Sequence, residues 1–315
     1  MRPPLVLAAV LAQLAAAGCE RPGRAARLAE PARACPDHRP GGEVALKGGT
    51  FLMGADPEHS DEGPPRQVTV GPFSIDRTEV TNAQFAEFVK ATGYVTLAER
   101  DPDPRYYPHV PPSRLRPSSL VFVGAEGLGD GDPALWWQVT EGAQWRRPEG
   151  PGSDLKGRER HPVVQVAYQD ALAYARWKGR DLPTEAEWEF AARAGLDGAR
   201  YEWGDGKPAA GASPRANTWQ GLFPAVDTGD DGYKARTAPV ACYAASAYGL
   251  YDMTGNVWEW TKDLYAGSPE GAHLVKGGSF LCADNFCYRY RPSARQPGPP
   301  DTGTSHVGFR TVKRG

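Results

Sequence analysis

Tyr248-Gly249-Leu250-Tyr251-Asp252-Met253-Thr254-Gly255-Asn256-Val257-Trp258-Glu259-Trp260 sets two glycines and two tryptophans within thirteen residues. Glycines at this spacing keep a helix from running through, so the stretch reads as short strands and turns around large aromatic side chains. The same texture extends outward. The 315 residues include 37 Gly and 30 Pro, about one in five turn formers, where average usage is nearer ~12%. Long helices and coiled coils are excluded because Gly and Pro interrupt them, and collagen because no Gly-X-Y period appears. Nine Trp, 13 Tyr and 10 Phe supply a core and exclude disorder throughout. One irregular, loop-rich domain of the larger kind remains.

Charge excludes one class of partner. The 36 Lys and Arg stand against 38 Asp and Glu, net −2, with both signs scattered. Nucleic-acid binding needs a basic stripe, and none is present.

At the N-terminus Arg2 precedes an apolar run, Leu5 to Leu14, that closes on Ala15-Ala16-Ala17-Gly18-Cys19. The run is too short to span a bilayer and ends in small residues, the pattern of a signal peptide over residues 1–18. Ala16-Ala17-Gly18-Cys19 resembles a bacterial lipobox, with Ala where Leu is usual. The expectation is export to the bacterial cell envelope, lipidation at Cys19, a flexible tether over 19–42 and a folded domain over 43–315. Ordinary secretion is the alternative.

Four further cysteines remain. Cys35 is either free or paired with Cys242, since connectivity does not follow from sequence. Cys282 and Cys287 sit in Gly277-Gly278-Ser279-Phe280-Leu281-Cys282-Ala283-Asp284-Asn285-Phe286-Cys287, a loop-like stretch. In an exported protein they read as a local disulfide or as a redox or metal pair. Two thiolates are a soft donor set suited to Cu(I), whereas structural zinc needs four ligands.

Strands are expected at Thr50–Gly54, Gln67–Val70, Phe73–Ile75 and Pro162–Val166. Thr81-Asn82-Ala83-Gln84 fits a capping box for a helix with Phe85, Phe88 and Val89 on one face, ended by Gly93. A second helix is expected through Asp170–Trp177 and a third from the capping box Thr184-Glu185-Ala186-Glu187 to Arg193, with Gly195 as its stop. Asp101–Pro117 is a proline-rich surface excursion. Three short helices and a strand-and-loop second half make an α+β domain.

At this point a resemblance can be stated. Phe51-Leu52-Met53-Gly54, Ile75 to Asn82, Trp145-Arg146-Arg147-Pro148-Glu149-Gly150, Leu182 to Glu189, Tyr248 to Trp260, the Cys282 loop and Gly308-Phe309-Arg310 follow in that order. Together, over residues 48–310, they resemble the formylglycine-generating enzyme family, the sulfatase-modifying factors. The resemblance implies an elaborated C-type-lectin-like fold with little regular secondary structure. It implies an oxidase that uses O2 to convert the cysteine of a Cys-x-Pro-x-Arg segment, in an unfolded or extended sulfatase, to Cα-formylglycine. Cys282 and Cys287 fall on the family's Cu(I) ligands, Ser279 on a hydroxyl beside them, and Trp258 and Arg295 on residues of the peptide groove. His306 stands where many members carry Asn, and Ala283 and Phe286 where some carry His and Tyr. Calcium sites map onto Asn217, the Thr218 carbonyl, Asp231 and the Tyr233 carbonyl, and onto Asp252, Gly255, Val257 and Glu259, a hard-oxygen mixture suited to that ion. Two disulfides of eukaryotic relatives are absent, with Ala175 and Thr311, and Ala192 and Pro292, at the corresponding positions.

The expected partners are the sulfatase segment and O2, with membrane contact only through the lipid and the domain a monomer. The main alternative is a catalytically silent lectin-like binding or scaffold module at the envelope. An iron-dependent sulfoxide synthase should show clustered histidines, and the six here are scattered. A Ser-His-Asp hydrolase lacks its nucleophile elbow.

Overall fold

The computed structural model describes Cys35 and residues 41–124, 132–208, 214–268 and 271–315. The signal peptide, Cys19 and the tether other than Cys35, Gly41 and Gly42 lie outside the described residues. Among the described residues, eleven short strands and three α-helices are spread along a backbone that is mostly turn and loop. The strands are β1 (Glu43–Leu46), β2 (Gly49–Met53), β3 (Arg66–Val70), β4 (Phe73–Asp76), β5 (Ser118–Phe122), β6 (Trp137–Glu141), β7 (Trp258–Leu264), β8 (His273–Lys276), β9 (Gln296–Gly298), β10 (Val307–Gly308) and β11 (Val312–Arg314). The helices are α1 (Asn82–Thr92), α2 (Tyr168–Trp177) and α3 (Glu185–Arg193). The first and last strands of the domain flank β4 in a sheet β1-β4-β11, a second sheet runs β10-β7-β8-β9, and β2-β3 and β5-β6 are antiparallel pairs. The fold is α+β and irregular, as expected.

Local chemistry explains the helix ends. Thr81 Oγ1 accepts from the Gln84 N–H at 3.3 Å while Gln84 Oε1 accepts from the Thr81 N–H at 2.8 Å, the reciprocal satisfaction of two orphan donors. Gly93 then turns left-handed at φ 68°. Thr184 and Glu187 repeat the box on α3. The expected stop differs by one residue, because Ala194 itself takes the left-handed turn at φ 47° ahead of Gly195. α2 starts two residues earlier than expected, since the Asp170 carboxylate reaches back to the Ala167 N–H at 2.9 Å where Ala167 has no capping atom. Pro162–Val166 forms no strand. Gln165 sits at φ 60°, which breaks the extended run after the bonds of Val163 to Val80.

Cys35 and Cys242 form a disulfide, resolving the open pairing. Two main cores lie on either side of β7. One joins Phe85, Phe88, Trp145, Tyr174, Trp258, Trp260 and Phe309, and the other Phe51, Phe73, Ile75, Trp188 and Leu250.

Between them lies a buried ion pair. Arg310 Nε and Nη2 donate to the two oxygens of Glu259 at 2.7 and 2.6 Å, both residues being fully buried. Trp188 Nε1 donates to Glu259 Oε2 at 2.7 Å. The remaining Arg310 donors reach the carbonyls of Asp76, Arg77 and Tyr251. The ion pair therefore ties β4, the glycine-rich stretch and the C-terminal segment through the guanidinium, and α3 through the carboxylate. The bidentate geometry offsets the cost of burying both charges. Arg310→Met should leave Glu259 buried without a counter-charge and lower stability by about 3–5 kcal/mol, read as a fall in the urea midpoint; an unchanged midpoint would refute this role.

Candidate active site

β8 leads into Gly277 and Gly278 at φ 94° and 75°. A Cβ on Gly278 would stand 2.7 Å from Cα and Cβ of Tyr290, so only glycine lets the two passes of chain lie this close. The following turn is pinned from three sides. Phe280 N–H donates to the Asn256 carbonyl at 3.0 Å, Cys282 N–H to the Ser279 carbonyl at 2.9 Å, and Trp219 N–H to the Cys282 carbonyl at 3.0 Å. The loop returns through Ala283 and Phe286, and Cys287 and Tyr288 then take left-handed backbone at φ 70° and 49°. Such geometry in side-chain-bearing residues is strained and persists only where surroundings enforce it. Here His59 Nε2 lies 3.2 Å from the Cys287 carbonyl.

Cys282 and Cys287 are free thiols with sulfurs 2.7 Å apart, beyond the disulfide bond length of about 2.05 Å. Cys282 is buried at the bottom of the loop, while Cys287 is partly exposed. Burial works against ionising Cys282, but the Cys287 thiol, backbone hydrogen bonds at Ser279 and Arg289, and the Ser279 hydroxyl outweigh it and hold this thiol below its usual range. Cys287 is pushed well above that range, first by its hydrogen bond to Cys282, then by burial and the Cys282 charge. The two thiols are thus pushed in opposite directions by the hydrogen bond they share. Ser279 is fully buried beside it, its Oγ accepting from the Leu281 N–H at 3.2 Å.

Aromatic side chains line the open side. Phe286 is 39% exposed and stacks on Phe223 at 4.5 Å, with Trp136 edge-on at 5.2 Å. Ala283 is buried beneath. On the opposite side the Tyr288 hydroxyl accepts from Arg200 at 2.8 Å, and the Tyr290 hydroxyl donates to Asp284. Sequence reading did not find His59, Phe223 or Arg200, because their contacts close only in three dimensions; His59 meets Cys287 across 228 residues.

Other expected site residues are dispersed. Trp258 is 1% exposed within the same core cluster as Cys282. Its N–H donates to the carbonyl of His306, whose ring lies 4.7 Å from Trp137 and is pushed down to about 3 by burial. Arg295 is held by Glu185 at 3.1 Å and the Asp61 carbonyl at 3.3 Å.

Among the described residues, no three His, Cys, Asp or Glu side chains form a group able to hold a metal. The first expected calcium set is nonetheless close-knit. Asp231 accepts from the N–H groups of Thr218 and Tyr233, each at 2.9 Å. Asn217 is fully buried with Oδ1 unpartnered. The Thr218 carbonyl accepts from Gln220 Nε2 at 2.6 Å. In the second set Asp252 Oδ1 is buried without a partner, Gly255 packs against the Asn217 carbonyl, and Val257 is buried. Glu259 there spends both oxygens on Arg310 and Trp188.

The chain is 49% identical to the formylglycine-generating enzyme of Mycobacterium tuberculosis over 85% of this chain and 96% of that one. It is 41% identical to the inactive C-alpha-formylglycine-generating enzyme 2 of Mus musculus over 85% and 84% of the two chains. The structure of PvdO from Pseudomonas aeruginosa superimposes with a TM-score of 0.55 at 29% identity, covering 86% of this chain and 93% of that one. The model of the sulfatase-modifying factor enzyme 1-like domain matches residues 29–315, and the chain belongs to that family.

Proposed function

We propose that this protein is an oxidase that converts the cysteine of a Cys-x-Pro-x-Arg segment in sulfatases to Cα-formylglycine with O2, activating the sulfatase. The observation that carries the reading is the free Cys282–Cys287 pair, buried on one side and open on the other. Similarity alone is insufficient, because a relative of comparable identity is named inactive. The donor set fits Cu(I): two convergent sulfurs and no hard oxygen ligand. Copper held by Cys282 and Cys287 would activate O2 beside the Cβ–H bonds of the substrate cysteine. The chain supplies position. The anchored Cys282 turn fixes one sulfur, the strained Cys287 backbone presents the other, and Phe286 with Phe223 offers an apolar face for an extended peptide. Ser279 sits where its hydroxyl adjusts the Cys282 sulfur.

Calcium is proposed for the two oxygen-rich sets because Asn217 Oδ1 and Asp252 Oδ1 are buried without partners, and a hard cation satisfies such oxygens. Export and lipidation at Cys19 are part of the proposal. The Cys35–Cys242 disulfide favours an oxidising compartment. Membrane contact through the lipid alone and a monomeric domain complete the reading; no described helix is long and apolar enough to cross a bilayer.

Purified protein loaded with Cu(I) and given a Cys-x-Pro-x-Arg peptide, O2 and a thiol reductant as the source of two electrons and two protons should yield the aldehyde by mass spectrometry. Cys282→Ala and Cys287→Ala should each abolish it; undiminished product in either would remove that thiol from the site, and no wild-type product would favour the binding module. Calcium at about 100 times its Kd should raise the folding stability of chelator-treated protein by about 2.7 kcal/mol, and Asn217→Ala should reduce that gain. A melting curve indifferent to calcium would refute the cation assignment.

A further inference from the structure

From the thiol pair a file of oxidisable rings leads to the surface. Cys282, Tyr290 and Tyr201 share one buried cluster, with Cys287, Tyr288 and Trp203 packed against it. Tyr290 lies against Gly278 at the base of the loop. Its ring stacks on Tyr201 at 6.0 Å and 17°, and Tyr201 stacks on Trp203 at 5.2 Å and 16°. Tyr288 joins from the side, its ring 5.4 Å from Tyr290 and its hydroxyl 3.3 Å from that of Tyr201. Trp203 is partly exposed and opens onto the exposed residues Asp205, Gly206 and Lys207.

Tight packing alone would be served by Phe or Leu. Here each ring is Tyr or Trp, the side chains most readily oxidised by one electron, and the near-parallel stacks keep successive π systems in contact. The Tyr290 hydroxyl donates to Asp284. Tyr288 has two guanidiniums near its ring, Arg291 at 5.3 Å and Arg200 at 5.9 Å, where Trp203 has one, Arg215 at 5.8 Å; two cations oppose loss of an electron from Tyr288 more than one does from Trp203. The favoured route therefore runs through Tyr290 and Tyr201.

The proposed reaction requires such a path. Converting a cysteine CH2–SH and O2 to an aldehyde, hydrogen sulfide and water balances only with two added electrons and two protons. We propose that Tyr290, Tyr201 and Trp203 carry those electrons, one at a time, from an external thiol reductant at the surface to the Cys282–Cys287 centre. The reductant's two thiols become a disulfide and release the two protons. This rests on the thiol pair being the oxidising centre, as read above.

The path can be tested without metal by running it in reverse. Metal-free, anaerobic full-length protein is treated with hexachloroiridate(IV), a bulky surface one-electron oxidant, and formation of the Cys282–Cys287 disulfide is followed by mass spectrometry. Two thiols then give two electrons to two iridium ions and two protons to water. The rate should fall at least about tenfold, the effect of a barrier raised by about 1.4 kcal/mol, in Tyr201→Phe and in Tyr290→Phe, and also in Trp203→Phe. Hydrogen peroxide, which reaches the thiols by diffusion, should give the disulfide at one rate in all four proteins; this separates lost conduction from a displaced loop. Wild-type iridate rates in the variants would overturn the path, as would equal slowing with both oxidants. Peptide aldehyde formation by copper-loaded wild-type protein tests the earlier reading separately, so a chain that makes aldehyde but shows no variant effect keeps its function and loses only the path.

Discussion

The bidentate bond between Arg310 and Glu259 is the constraint around which the domain is organised. Both groups are fully buried, and Trp188 occupies the remaining side of the carboxylate. A fold with strands of two to seven residues has few long hydrogen-bond ladders to set the relative position of its parts. The guanidinium does this with directional donors, fixing the carbonyls of Asp76, Arg77 and Tyr251 around one point. Replacing such a pair by apolar side chains can be neutral in stability, so its value lies as much in specifying geometry as in energy.

That geometry is transmitted to the thiol loop through backbone. Glu259 and Trp258 lie on β7, which pairs with β10 on one side and β8 on the other. β8 delivers Gly277 and Gly278, and Asn256, just before β7, holds the Phe280 N–H. Cys282 is thereby seated on the same strand pair that carries the ion pair. The left-handed backbone at Cys287 and Tyr288 costs energy that only such a fixed surround sustains. The strain presents one sulfur outward while its partner stays buried.

Much of the architecture was legible from the chain. The capping boxes at Thr81 and Thr184 appeared where expected because a cap is a contact between residues three apart. The same locality explains the misses. Asp170 started α2 from inside the helix, a role its sequence neighbours do not advertise, and Gln165 left the extended region to suit bonds with Thr304 and Pro148 far along the chain. Of the candidate site, the closeness of the two thiols was legible because they share one loop, whereas Ser279 entered only through the resemblance. Arg295 was drawn to Glu185 and Trp258 into the core by neighbours distant in sequence.

The sequence by itself determined the texture of this protein: an aromatic core divided by glycine and proline, three short helices with their caps, and two cysteines close enough to meet. Turn chemistry, capping and spacing act over a few residues and can be read locally. The tertiary structure alone decided that Cys35 pairs with Cys242, that Glu259 answers Arg310, that His59 braces Cys287, and that Tyr290, Tyr201 and Trp203 stack in file. Each of those contacts depends on which surfaces remain unsatisfied once the chain is packed, a property of the whole fold that no single stretch contains.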